Sequence, residues 1–152
     1  MIPILIKSED IEAALEHRDL LSPFIPQEAP TLDRLQGAGA RRFRGAEIIA
    51  AGLDAALVAK LRQIGGTEVI ALPLPDWTDL PSFRRDALAE LSAVRWCHDG
   101  PVTWNMLKAR ARADGRSPGW ARLRIDEAVA CCVLQRTIRD RVTIYSELNH
   151  VA

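Results

Sequence analysis

The stretch that most limits what this chain can fold into is Pro101–Tyr145, PVTWNMLKARARADGRSPGWARLRIDEAVACCVLQRTIRDRVTIY. It holds a helix stop and a helix start almost back to back. Thr103 is a candidate N-cap for a helix through Ala113, on which Trp104, Leu107 and Ala111 fall at i, i+3 and i+7 and share an inward stripe. Asp114-Gly115 supplies a stop and a sharp turn. Ser117-Pro118 then starts a second helix, with Ser as cap and Pro at the first helical position. The gap of about four residues is the length that helix-turn-helix units use. The second helix is expected to turn Ala121, Ile125, Ala128 and Cys132 inward. After Leu134 the period changes to the alternation of Val142 and Ile144, which reads as a β-hairpin with basic residues near its tip. Helix, tight turn, helix and basic strand pair is the order of a winged helix-turn-helix.

The 152 residues suit one domain of about 100–200 residues and can bury a core without covalent staples. With 48% hydrophobic and 26% charged residues, the composition excludes a disordered chain. The net charge of +0 implies no polyanionic partner, but its distribution is uneven. Residues 1–83 hold 8 Lys+Arg against 12 Asp+Glu, a balance of −4, and residues 84–152 hold 12 against 8, a balance of +4. A basic half points to nucleic acid or an acidic partner; the same asymmetry also suits attraction between the two halves. Cys97, Cys131 and Cys132 make an odd count with two neighbours, which is no disulfide framework, and they are expected as small core residues. No cleavable apolar leader and no apolar run of about 18 residues is present, so a cytoplasmic protein without a membrane partner is expected.

In the first half, Ile2–Ile6 reads as a buried strand, and Pro3, lacking an N–H, places it at an edge or pairs it on one side only. Ser8 is expected to cap a helix reaching Leu21, with Glu9, Asp10 and Glu12 in its first turn and a stop at Ser22-Pro23. Residues 22–40, punctuated by Pro23, Pro26, Pro30, Gly37 and Gly39, read as a long connection with at most a helical turn at Thr31–Leu35. Gly45–Ile64 reads as one helix, because Ile49, Leu53, Leu57 and Leu61 recur every four residues before Gly65-Gly66 stops it. That stripe suits either a dimer contact or the core of the domain. Val69–Leu72 reads as a second strand, closed by Pro73 and Pro75, with its direction unassigned. Asp76–Pro81 is linker-like, and Ser82 is expected to cap a helix over Phe83–Cys97. The expected fold class is α+β: a small N-terminal α/β layer over residues 1–75, followed by a C-terminal winged helix-turn-helix-like part over 82–152.

The segment LRQIGGTEVIALP, a helix end, a Gly-Gly turn and a strand, resembles the N-terminal half of Mor-type phage transcription activators. The resemblance covers a short stretch, and no residue role is carried over from it.

Base-reading side chains of helix-turn-helix units come from the early turns of the second helix, where Arg116, Arg122 and Arg124 stand. Arg110 and Arg112 close the preceding helix, and Arg136, Arg139 and Arg141 on the hairpin suit phosphate neutralisation. These eight form the expected nucleic-acid-binding set. Arg41, Arg42 and Arg44 form a secondary basic loop suited to phosphate contact. Asp114, Asp126, Glu127 and Asp140 interleave with the eight, so a solvated mixed-charge face is the competing reading. His17, His98 and His150 are scattered, Cys97-His98 has no second pair at zinc spacing, and no phosphate loop or nucleophile elbow occurs. No catalytic residue, metal or cofactor is therefore expected. The expected function is that of a non-enzymatic DNA-binding accessory or transcriptional regulator whose partner is double-stranded DNA. The alternative is a protein-interaction module, an adaptor or inhibitor from a phage or mobile element, whose partner is another protein or a second copy of the chain.

Overall fold

The computed structural model describes residues 2–148, the side chain of Ala38 excepted. The chain is mixed helix and strand and divides into two compact units, Met1–Ala87 and Leu88–Ala152. Seven strands and eight α-helices are formed among the described residues.

The first unit is built on a parallel sheet. Strands β1 (Ile2–Ile6), β2 (Phe24–Glu28), β3 (Glu47–Ala51) and β4 (Glu68–Leu72) run in the order β2-β1-β3-β4, with every neighbouring pair parallel. β1 is therefore an interior strand, not an edge. Pro3 is accommodated because pairing with β3 begins only at Ile4, opposite Ile49, whereas β2 runs alongside from Ile2 to Ile6. β2 itself lies in the stretch expected to be a connection. It tolerates Pro26 because it is the edge strand, where a missing N–H can face no neighbour.

The expected helix over Gly45–Ile64 is instead strand β3, a turn at Gly52 and helix α4 (Ala55–Arg62). Every residue of β3 is buried, the pattern of an interior strand covered on both faces. Such a continuous apolar run has no alternation to betray it, and Ile49 and Leu53 fell into register with Leu57 and Leu61 by chance. Gly52 adopts φ +66, and a Cβ there would meet the Leu74 Cβ at 3.0 Å, so a left-handed glycine breaks the chain direction.

The Ser8–Leu21 helix is likewise divided, into α1 (Ile11–Glu16) and α2 (Arg18–Leu21), with Asp10 rather than Ser8 at the N-cap position. One face of the sheet packs Leu5, Ile48, Ala50 and Val69 against Leu57, Val58 and Leu61 of α4, together with Leu35 and Phe43. Phe43 belongs to the sequence Arg41-Arg42-Phe43-Arg44. A short helix α3 (Ala38–Arg41) leads into it, and Thr67 Oγ1 donates to the Phe43 carbonyl at 2.6 Å.

Helix α5 (Leu80–Ala89) begins two residues before the expected Ser82 cap, and the Asp79 carboxylate accepts from the Ser82 N–H. The expected continuation to Cys97 is broken at Leu91, which starts a separate helix α6 (Ser92–Trp96).

The second unit continues from α6 through a two-residue strand β5 (Val102–Thr103), helix α7 (Trp104–Ala113), helix α8 (Pro118–Ala130), and strands β6 (Leu134–Arg139) and β7 (Val142–Glu147). The three strands form an antiparallel sheet in the order β5-β7-β6. The cap signals act as expected: Thr103 accepts from the Met106 N–H and Ser117 from the Trp120 N–H. Leu107 and Ala111 of α7 and Ala121, Ile125 and Ala128 of α8 fill the core.

Cys132, expected to face inward with them, is exposed. It lies beyond the end of α8 at φ +60, where the Val133 N–H donates to the Ala128 carbonyl and the Cys132 N–H to the Val129 carbonyl. This is a Schellman ending with cysteine in the place glycine usually takes. Gly115, at φ +75, ends α7 in the same way, with the Arg116 N–H on the Ala111 carbonyl. Of the three cysteines, only Cys97 is a core residue.

Candidate nucleic-acid interface

The second unit holds all eight arginines of the expected set, and its helices and hairpin distribute them into small groups. α8 separates its own two. At 100° per residue, Arg122 and Arg124 stand about 160° apart around the axis, on opposite flanks of the buried Ala121–Ile125–Ala128 stripe.

Arg124 joins Arg116. The two guanidinium carbons lie 5.7 and 4.5 Å from the Trp120 ring centroid, and Arg124 pairs with Glu127 at 3.1 Å. Trp120 in turn packs edge-on against Trp96, with centroids 6.0 Å apart, and Trp96 Nε1 donates to Asp114 in the turn between α7 and α8 at 2.7 Å. Trp120 is thus a structural anchor that holds the helix-to-helix turn, with two guanidiniums packed upon it.

Arg122 joins Arg136 of β6. Asp126, one turn along α8, faces Arg122 Nε at 3.5 Å and accepts a hydrogen bond from Arg136 Nη2. Arg122 Nη1 also donates to the Tyr145 hydroxyl at 3.3 Å, and its guanidinium lies 5.3 Å from the Trp104 ring centroid. Arg136 lies 5.3 Å from the Tyr145 ring centroid, and its pKa is held above the ordinary value, chiefly by a hydrogen bond with Tyr145 and also by Asp126. Sequence reading raised neither Asp126 as a bridge nor Tyr145 as a platform. The signal was the i, i+4 spacing of Arg122 and Asp126, but the Arg136–Tyr145 register of the hairpin was needed to complete it.

Arg139 and Arg141 flank Asp140 at the hairpin tip. Both are exposed, and neither side chain makes an ion pair or hydrogen bond among the described residues. Asp140 and Arg141 form a two-residue turn with φ of 52 and 67. Hairpins favour this left-handed pair, and asparagine or aspartate followed by glycine fills it most cheaply. Arginine in the glycine position is a conformational cost on an open surface.

Arg112 is exposed on the last turn of α7, and Arg110, two residues before it, is half-buried and close enough for its charge to act on Cys97. The outward face of α8 is not basic at its centre: Leu123 is 64% exposed there. Ile138 and Val142, just below the hairpin tip, are 76% and 46% exposed.

Arg41, Arg42 and Arg44 are exposed on the first unit around buried Phe43, with the Arg42 guanidinium 4.4 Å from its ring centroid. That unit also carries a polar pair missed in sequence. Lys7, directly after β1, meets Asp54, just past the Gly52 turn after β3, at 3.0 Å. Asp54, Glu9 and Asp10 together raise the Lys7 ammonium above its ordinary value. The pair stands where the order of a parallel sheet reverses, but its origin in two strand ends was hidden while β3 read as helix.

The remaining candidate groups do not converge. Burial pushes the Cys97 thiol up to about 11, which leaves it protonated and unreactive. His98 faces Glu147 at 3.0 Å, and His17 stacks on Trp77 with centroids 5.8 Å apart. His150 lies outside the described residues. Among the described residues no group of three or more His, Cys, Asp or Glu is placed to hold a metal ion, and no helix is long and apolar enough to cross a membrane. A family-model scan and searches of curated proteins and of solved structures find no match to this chain, so the geometry alone carries its functional reading.

Proposed function

We propose that the second unit is a winged helix that binds double-stranded DNA chiefly through its phosphate backbone, and that the chain is a non-enzymatic DNA-binding accessory or regulator. The order α6, β5, α7, α8, β6, β7, with β7 between β5 and β6, supports this reading. The observation that carries the reading is the hairpin tip. Among the described residues the Arg139 and Arg141 guanidiniums have no partner at the hairpin tip, and Arg141 holds a backbone conformation that glycine would adopt at less cost. Local strain at an exposed tip marks a position held for contact rather than for folding.

Phosphate rather than base contact follows from the face of α8. Base edges are read by bidentate guanidinium, amide or carboxylate groups. The outward centre of α8 offers Leu123, and Arg122 beside it is engaged by Asp126 and Tyr145. Affinity is then expected to fall steeply with salt and to vary little with sequence. The test is a salt titration of binding to labelled duplexes of unrelated sequence.

A second reading, a protein-interaction module, is favoured by the exposure of Leu123, Ile138 and Val142. Binding of that kind would depend weakly on salt and would be lost on Leu123→Ser or Ile138→Ser. The wing arginines would matter little to it.

A further inference from the structure

We propose that Arg122 and Arg136 form a two-guanidinium phosphate site that the chain's own Asp126 fills in the free protein, and that a backbone phosphate of duplex DNA displaces this carboxylate on binding. The inference rests on the reading of the second unit as a DNA binder and adds to it an internal competitor.

The geometry is that of a bidentate anion site. Asp126 turns one oxygen to each guanidinium: Oδ1 accepts from Arg136 Nη2, and Oδ2 faces Arg122 Nε at 3.5 Å. A phosphate presents two oxygens to a pair of guanidiniums in the same way, which makes a carboxylate its natural stand-in. The guanidiniums do not depend on Asp126 for their positions. Arg122 is held by the Tyr145 hydroxyl at 3.3 Å and the Trp104 face at 5.3 Å, and Arg136 lies over the Tyr145 ring at 5.3 Å. Tyr145 is wholly buried in the sheet, so this platform is fixed by the fold. With the carboxylate gone, two positive charges remain preorganised on aromatic faces.

The site is also open. The side chains of Arg122, Asp126 and Arg136 are 48%, 47% and 36% exposed, so an external oxyanion reaches the place Asp126 occupies. Asp126 stands on α8 and Arg136 on β6, the two elements a winged helix lays against the duplex. A ligand offering a single oxyanion must compete with a tethered carboxylate and loses. A polyanion that also engages Arg139 and Arg141 offsets that competition. Asp126 thereby sets a threshold that admits an extended phosphate backbone and rejects small phosphates.

The experiment compares the full chain with Asp126→Asn, an isosteric change at a half-exposed position, and with Asp126→Ser as a second variant. Binding to a labelled duplex is followed across a salt series. The expected result is affinity on the order of ten-fold tighter for both variants, with a log–log salt slope steeper by about 1 to 2 as further phosphates are engaged. Adding Arg122→Ala and Arg136→Ala to Asp126→Asn should cancel the gain.

If the parent chain binds duplex but neither variant binds more tightly, the internal competitor is overturned and the DNA reading stands. If no form binds duplex, the DNA reading falls, and the site is judged on inorganic phosphate alone. Quenching or enhancement of Trp104 emission by millimolar phosphate in Asp126→Asn, absent from the parent chain and from the version lacking both arginines, supports the two-guanidinium site. No response overturns it.

Discussion

At the scale of single residues, the sharpest expectations concern groups whose environment departs from the ordinary. Cys97 is buried and its thiol is pushed up to about 11 from an ordinary 9.0, by burial first. The folded state therefore keeps a proton that the unfolded chain loses above pH 9.0, so this contribution to stability is present below that pH and fades as pH rises toward 11. The loss is on the order of 2 kcal/mol for a shift of this size. Urea unfolding at pH 8 and pH 10.5 should show it, and Cys97→Ala should flatten the difference. Thiol labelling of the native protein at pH 8 should modify exposed Cys132 rapidly, with Cys97 reacting only in denaturant.

Gly52 makes the opposite kind of statement. Gly52→Ala meets both an unfavourable φ and the Leu74 side chain, and should cost the first unit about 2 kcal/mol or more in chemical denaturation followed by Trp77 emission.

At the scale of elements, what the sequence made legible follows from how each element announces itself. α7 and α8 were readable because their ends are chemically marked: Thr103 and Ser117 accept cap hydrogen bonds, Pro118 opens α8, and Gly115 closes α7. Ser117→Ala should accordingly cost about 1 kcal/mol of second-unit stability, whereas Ser82→Ala should cost far less because Asp79 is the acceptor at that helix start. The hairpin was readable from its alternation.

The parallel sheet was not. β3 is buried on both faces and after Glu47 shows no period, and β2 carries Pro26, which only an edge position tolerates. A run of buried residues is the same string in a helix or an interior strand, and only its neighbours decide. The candidate site was legible only as a set of basic residues along the chain. It was not legible in grouping, since the Arg122–Asp126–Arg136 contact needs the hairpin register. One trade-off belongs to this scale: Arg141→Gly should stabilise the hairpin by up to about 1 kcal/mol while weakening DNA binding.

At the scale of the whole molecule, charge is unevenly placed. Residues 1–87 hold 10 Lys+Arg and 13 Asp+Glu, a balance of −3, and residues 88–152 hold 10 and 7, a balance of +3. A polyanion is therefore expected to be drawn to the second unit, with Arg41, Arg42 and Arg44 as the basic exception on the first. Changing those three to alanine should lower duplex affinity less than changing the wing does, as a side-by-side equilibrium titration will show.

The central claim is that the second unit grips the DNA backbone by its wing. Its most direct test is the salt dependence of duplex binding for the full chain and for Arg139→Ala/Arg141→Ala. The expected result is a log–log slope shallower by about 2 in the double variant, with affinity lower by on the order of ten-fold and no dependence on duplex sequence. Equal slopes for the two proteins, or no duplex binding by the parent chain at low salt, would contradict it.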